Sequence, residues 1–162
     1  MLERLLTPVM KLGSAVAAVG VLVVLAITGY SVFNRYVLGT PVTWTDELSG
    51  FLVVAIVMFG AAETLRRGEH ISVDLLTSRL RRSASLLAGI WGMVAVILIM
   101  SAIVVSGITA VSFSYDFGIY SEGYLALPMW IPQLALIIGG GLVIAIAVAR
   151  LCSILINAKV DQ

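Results

Sequence analysis

The stretch LGSAVAAVGVLVVLAITGYSVF, residues 12–33, runs for 22 residues without a charge. A bilayer core about 30 Å thick needs roughly 20 consecutive apolar residues of helix, so this segment reads as a membrane span. Other long, mostly apolar segments occupy about 46–66, 86–113 and 130–156. They predict an all-α membrane protein, a single four-helix transmembrane domain over residues 1–162. The uncharged run from Ser83 to Tyr115 covers 33 residues, enough for a steep tilt or a helix that projects past the lipid. The second span is the shortest, because Glu63 leaves only Leu48–Ala62 free of charge. It works if Glu63 lies at an interface beside Arg66 and Arg67, three and four residues on. Continuous apolar runs lack the alternation of a barrel strand, which leaves helices as the spanning element. Composition agrees: 60% of residues are hydrophobic, 12% are charged and the mean hydropathy is +1.10, whereas about a quarter of a soluble domain is charged.

The basic residues orient the spans. Arg4 and Lys11 precede the first; Arg66, Arg67, Arg79, Arg81 and Arg82 fall between the second and third; Arg150 and Lys159 lie at the end. Only Arg35 falls on the other side. Lys and Arg in short loops stay cytoplasmic, so both termini are expected inside. The first span is longer than the roughly 7–15-residue apolar region of a signal peptide, and Asn34-Arg35-Tyr36 follows it instead of a cleavage site. It is read as retained.

The connections differ in character. Asn34–Thr45, the outer hairpin, contains Gly39 and Pro41, which suit a turn. Thr43-x-x-Asp46 resembles a capping box, and Asp46 and Glu47 complement the positive end of the helix that follows. In the inner connection, Ile71, Leu75, Leu76 and Leu80 can share one helical face opposite Asp74, Ser78, Arg81 and Arg82. A short amphipathic interfacial helix is expected there, over about 71–82, its arginines near anionic headgroups. The second outer connection, Ser114–Met129, has no basic residue and carries Asp116 and Glu122. Tyr36, Trp44, Tyr115, Tyr120, Tyr124 and Trp130 fall near the outer ends of the spans, as an interfacial aromatic belt places them.

Catalytic chemistry is not visible. Haem ligation by paired histidines is excluded by a single histidine, His70, best read as a solvated interfacial residue. Cys152 alone allows neither an intramolecular disulfide nor a redox pair. No GxSxG, P-loop or intramembrane histidine appears, and a net charge of +1 without a basic domain makes nucleic acid an unsuitable partner. No catalytic residue, metal or cofactor is expected. Charges inside a membrane usually mark a transport path, but here they are few. Glu63 reads as a structural ion pair with Arg66 or Arg67, and Arg150 as a side chain snorkelling to the inner surface. A chain so poor in intramembrane charge does not hold a polar-solute site by itself.

Small residues are plentiful instead. Ala102, Ser106, Ala110 and Ser114 recur every four residues in the third span; Gly141, Ala145 and Ala149 do so in the fourth, beside Gly139 and Gly140. Such stripes let helices approach closely in lipid. They serve either packing within the chain or a partner protein. Arg35 likewise has two readings, a local ion pair with Asp46 or Glu47, or part of an outer surface with Trp44 that meets a partner.

Asn34-Arg35-Tyr36, Trp44-Thr45-Asp46-Glu47-Leu48, Phe59-Gly60-Ala61-Ala62, the segment Arg67-Gly68-Glu69-His70-Ile71-Ser72-Val73-Asp74-Leu75-Leu76, and Leu127-Pro128-Met129-Trp130-Ile131-Pro132 together resemble the small membrane subunit, DctQ-like, of the tripartite ATP-independent periplasmic (TRAP) transporters. The resemblance covers nearly the whole chain. It implies a bacterial or archaeal cytoplasmic-membrane protein paired with a large membrane subunit that holds the solute and sodium sites. An extracytoplasmic solute-binding protein would deliver an organic acid, such as a C4-dicarboxylate or sialic acid. The small subunit would be a scaffold for the large one. Two other readings stay open, a self-sufficient homodimeric exporter using one membrane carboxylate, and an assembly protein without a transport role.

Overall fold

The computed structural model describes residues 2–67 and 82–160. His70 and the amphipathic segment, except Arg82, lie outside the described residues. Four long helices make up nearly all of the rest: α1 (Leu2–Phe33), α2 (Trp44–Arg67), α3 (Arg82–Asp116) and α4 (Trp130–Val160). All four are long and apolar enough to cross a membrane, over Lys11–Leu38, Trp44–Arg67, Ala84–Asp116 and Trp130–Ile156. At 1.5 Å per residue, α3 is about 52 Å long, well beyond the hydrocarbon thickness.

The first span does not stop at Phe33. It continues as a π-helical turn, Asn34–Leu38, and ends at Gly39, whose φ of +67° breaks the helix. Asn34 supplies the reason. Its side-chain amide donates to the Tyr30 carbonyl at 2.9 Å, the acceptor that an α-helical Asn34 N–H would use. The Gly39 and Thr40 N–H groups then both fold back onto the Asn34 carbonyl. Side-chain competition of this kind loosens a helix into a wider turn. Four residues after Thr40, α2 begins. Its anchor is Thr45, 1% exposed, whose hydroxyl donates to the Val42 carbonyl (2.9 Å) and bonds the Ser31 hydroxyl of α1 (3.0 Å). No capping hydrogen bond from Thr43 or Asp46 is present among the described residues.

The helices pack in the order α1–α2–α4–α3, with α1 touching α4 only slightly and α3 meeting α4 alone among the described helices. This is an open row, not a closed bundle. Accordingly α4 and α2 are the more buried helices, while α1 and α3 leave most of their apolar surface outward. The core lies where α2 and α4 cross: Ala62, Leu65, Val143, Ile146 and Ala147, flanked by Met93, Val96, Ile97 and Met100 of α3. Three consecutive glycines explain how α4 holds two neighbours. Successive helical residues point about 100° apart. At Gly139 a Cβ would fall 2.5 Å from Met58 Cβ of α2, and at Gly140 it would fall 2.7 Å from Val104 Cγ2 of α3. Gly141 faces open space.

Candidate functional site

At the end of the row where α2 finishes and α4 nears its close, Glu63 is 6% exposed. Arg66 donates to its two carboxylate oxygens through Nε and Nη2, and Arg67 through Nε, each at 2.7 Å. The i, i+3 and i, i+4 spacing puts all three on one face of α2. Arg150 of α4 reaches across, and its Nη2 donates to the Arg66 carbonyl at 3.2 Å. A guanidinium on the last carbonyls of a helix complements the negative end of its dipole. Arg150 therefore ties α4 to the end of α2, a role the sequence did not suggest.

At the opposite end, which holds residues 39–43 and 117–129, Glu47 turns away from Arg35. Its carboxylate accepts hydrogen bonds from the Ser121 hydroxyl and from the Leu125 N–H (3.1 Å) of the α3–α4 connection. Ser121 in turn accepts from Leu127 N–H at 3.3 Å. The connection is folded on itself: Ser121 N–H bonds the Leu127 carbonyl, Met129 N–H bonds that of Ile119, and Tyr120 and Pro128 form an isolated β-bridge. Gly118 takes φ +59° and Ala126 φ +42° to make the bends. Gly123 lies directly under the Glu47 carboxylate, where a side chain would collide with it. Glu47, Gly123 and Ser121 thus clasp the start of α2 to the loop before α4.

The other residues of this edge are placed differently. Trp44 is half-buried with its ring 6.4 Å from that of Tyr30. Arg35 and Asp46 are exposed and line one cleft of about 180 Å³ with Thr28, Ser31, Val32 and Tyr36. They do not form an ion pair; the ion pairs among the described residues are those of Glu63. Tyr36, Tyr115, Tyr120 and Tyr124 are exposed around this end, and Trp130 stands edge-on to Tyr115 at 6.1 Å.

The small-residue stripes divide. Gly139 and Gly140 are buried against α2 and α3. In α3, Gly107 makes the close contact with α4, near Ile137 and Leu136, and Ser114 is 4% exposed. Ala102 and Ser106 are exposed and Ala110 half-buried. With Ile103, Gly107 and Leu136 they line an open groove of about 370 Å³ between α3 and α4. Gly141 is exposed as well. The arrangement offers two surfaces able to receive a helix, at the groove and at Gly141, and among the described residues no gathered set of reactive side chains. Among the described residues no three His, Cys, Asp or Glu side chains cluster as metal ligands, and Cys152 is a free, exposed thiol.

Residues 23–157 match the family model of the DctQ component of the tripartite ATP-independent periplasmic transporters. The chain is similar to the C4-dicarboxylate TRAP transporter small permease protein DctQ of Rhodobacter capsulatus, 33% identical over 104 residues, which cover 64% of this chain and 45% of that protein. It is also similar to the sialic acid TRAP transporter small permease protein SiaQ of Vibrio cholerae, 26% identical over 83 residues, covering 51% of this chain and 48% of that one. The matches thus span about half the length of each relative. The family match covers most of the chain, from within α1 to near the end of α4, and the chain belongs to the DctQ family of TRAP transporter components.

Proposed function

We propose that this chain is the small integral-membrane subunit of a sodium-coupled, binding-protein-dependent TRAP transporter for an organic acid of the dicarboxylate or sialic-acid type. It acts as a scaffold for the large transport subunit in the cytoplasmic membrane and takes no catalytic part. The observation that carries this reading is the open row of helices. Among the described helices α3 packs on α4 alone, and the groove of small residues beside it is open, so that a helix of another chain can gain close contact there in lipid. Ser106 and Ala110 are the residues of that contact, and Gly141 offers a second one on α4. Both termini and the 71–82 segment lie on the cytoplasmic side, and the clasped outer loop, with Trp44, faces the solute-binding protein. The relatives' sialic acid and C4-dicarboxylate indicate the solute class, with the selecting residues on the other chains.

The exporter reading is weakened by Glu63. A homodimeric exporter uses a carboxylate free to release and take up its ion, and Glu63 is closed by two arginines. Affinity purification of the tagged chain from its native membrane tests the proposal. A large multi-span permease should accompany it in fixed proportion; recovery of the chain only with copies of itself would overturn the scaffold role.

A further inference from the structure

Arg35 and Asp46 are opposite charges in one cleft that do not bridge to each other. Thr28, Ser31, Val32, Arg35 and Tyr36 recur at helical spacing down one face of the first helix, and Asp46 closes the cleft from the first turn of α2. The π turn carries Arg35 and Tyr36 into place, and turns of this kind recur at functional sites. At about 180 Å³ the cleft is below the roughly 300–1,000 Å³ typical of drug-sized ligands. It suits a small dipolar group with a phosphate for Arg35 and a cation for Asp46. From Val32 in the cleft, Leu25 and Val21 continue along the same face of α1, all three more than half exposed, giving an apolar track toward the middle of the span. A polar head and an apolar tail are both provided for.

We propose that this cleft binds a zwitterionic phospholipid with a primary ammonium, of the phosphatidylethanolamine type. The phosphate accepts from the Arg35 guanidinium, the ammonium donates to the Asp46 carboxylate, and the acyl chains lie along Val32, Leu25 and Val21. Phosphatidylglycerol has no cation for Asp46. The methylated ammonium of phosphatidylcholine has no N–H to donate. This inference is independent of the partner surface at Ser106 and Gly141.

The test is native mass spectrometry of the full chain in mild detergent with equal amounts of dioleoyl phosphatidylethanolamine, phosphatidylglycerol and phosphatidylcholine. Phosphatidylethanolamine adducts should exceed each of the others about two- to fivefold, the range of one exposed charge pair. Asp46→Asn should abolish that preference, and Arg35→Gln should lower retention of all three lipids, with helical circular dichroism unchanged in both; Arg35→Lys should keep most of the retention. Soluble glycerophosphoethanolamine should not displace the lipid. Equal retention of the three lipids, indifference to both substitutions, or displacement by the soluble headgroup would overturn the proposal. If both variants lose a co-purifying permease while the lipid ranking stays the same, the cleft belongs to a protein and the proposal fails.

Discussion

Glu47 and Glu63 show how far a single acidic residue can be read along the chain. Glu63 and its arginines are three and four residues apart, so their meeting is written in the helical period. Glu47 bonds partners 74 and 78 residues away, and nothing local distinguishes it from Asp46, its exposed neighbour. The Asp46-Glu47 pair suggested a helix-dipole role for both. Only the fold of the 117–129 loop separates them. Because Glu47 is engaged there, reversing its charge would break the clasp whatever Arg35 does. Glu47→Ala should cost about 1–3 kcal/mol, the range for leaving a partly buried donor unpaired. Hydrogen exchange at Leu125 and Leu127 should quicken while the middle of α2 stays protected. Gly123→Ala should have a similar effect alone and little further effect on top of Glu47→Ala, since in contact pairs the penalties do not add. Additive losses would mean that Gly123 does not seat the carboxylate. Glu63→Gln should lower the thermal midpoint of the purified protein modestly, because Arg67 is half exposed and can turn to water.

Helices α1 to α4 were legible in number because hydropathy is a one-dimensional signal. Their ends were less so. Asn34 looked like a loop residue, yet its side-chain bond to Tyr30 prolongs the first span to Leu38. The glycine triplet has the same lesson on facing. A four-residue stripe through Gly141 was visible, but Gly139 and Gly140 make the close contacts, and three adjacent residues look in three directions. Gly139→Leu should push α2 from α4, because Met58 backbone atoms would lie 3.1 and 3.3 Å from its Cβ. A loss of about 1–3 kcal/mol or more is expected of such overpacking, read as a lower thermal midpoint. Gly141→Leu should leave the chain's own stability unchanged. Paired with Ser106→Leu it should weaken co-purification with the proposed large permease, since contacts between membrane helices are worth roughly 0.6–2 kcal/mol each. Undiminished assembly of that double variant would mean those faces meet only lipid.

Across the whole molecule, the order α1–α2–α4–α3 could not be read from the sequence. Helices apolar on every side carry no inward face, and lipid gives them no hydrophobic reason to choose a neighbour. The basic-residue asymmetry, in contrast, is a property of the entire chain. Cysteines at Thr40 and Glu122, in a Cys152-free background, should react with an impermeant thiol reagent on intact cells. Cysteines at Ser78 and Gln162 should react only after lysis, and the reverse pattern would invert the proposed topology. The division of labour itself is tested most directly by reconstitution into liposomes with an inward sodium gradient. With the large permease and solute-binding protein proposed for it, the chain should support uptake of labelled dicarboxylate or sialic acid. Alone it should give none above empty liposomes, and uptake by the isolated chain at a rate near that of the full system would contradict the scaffold account.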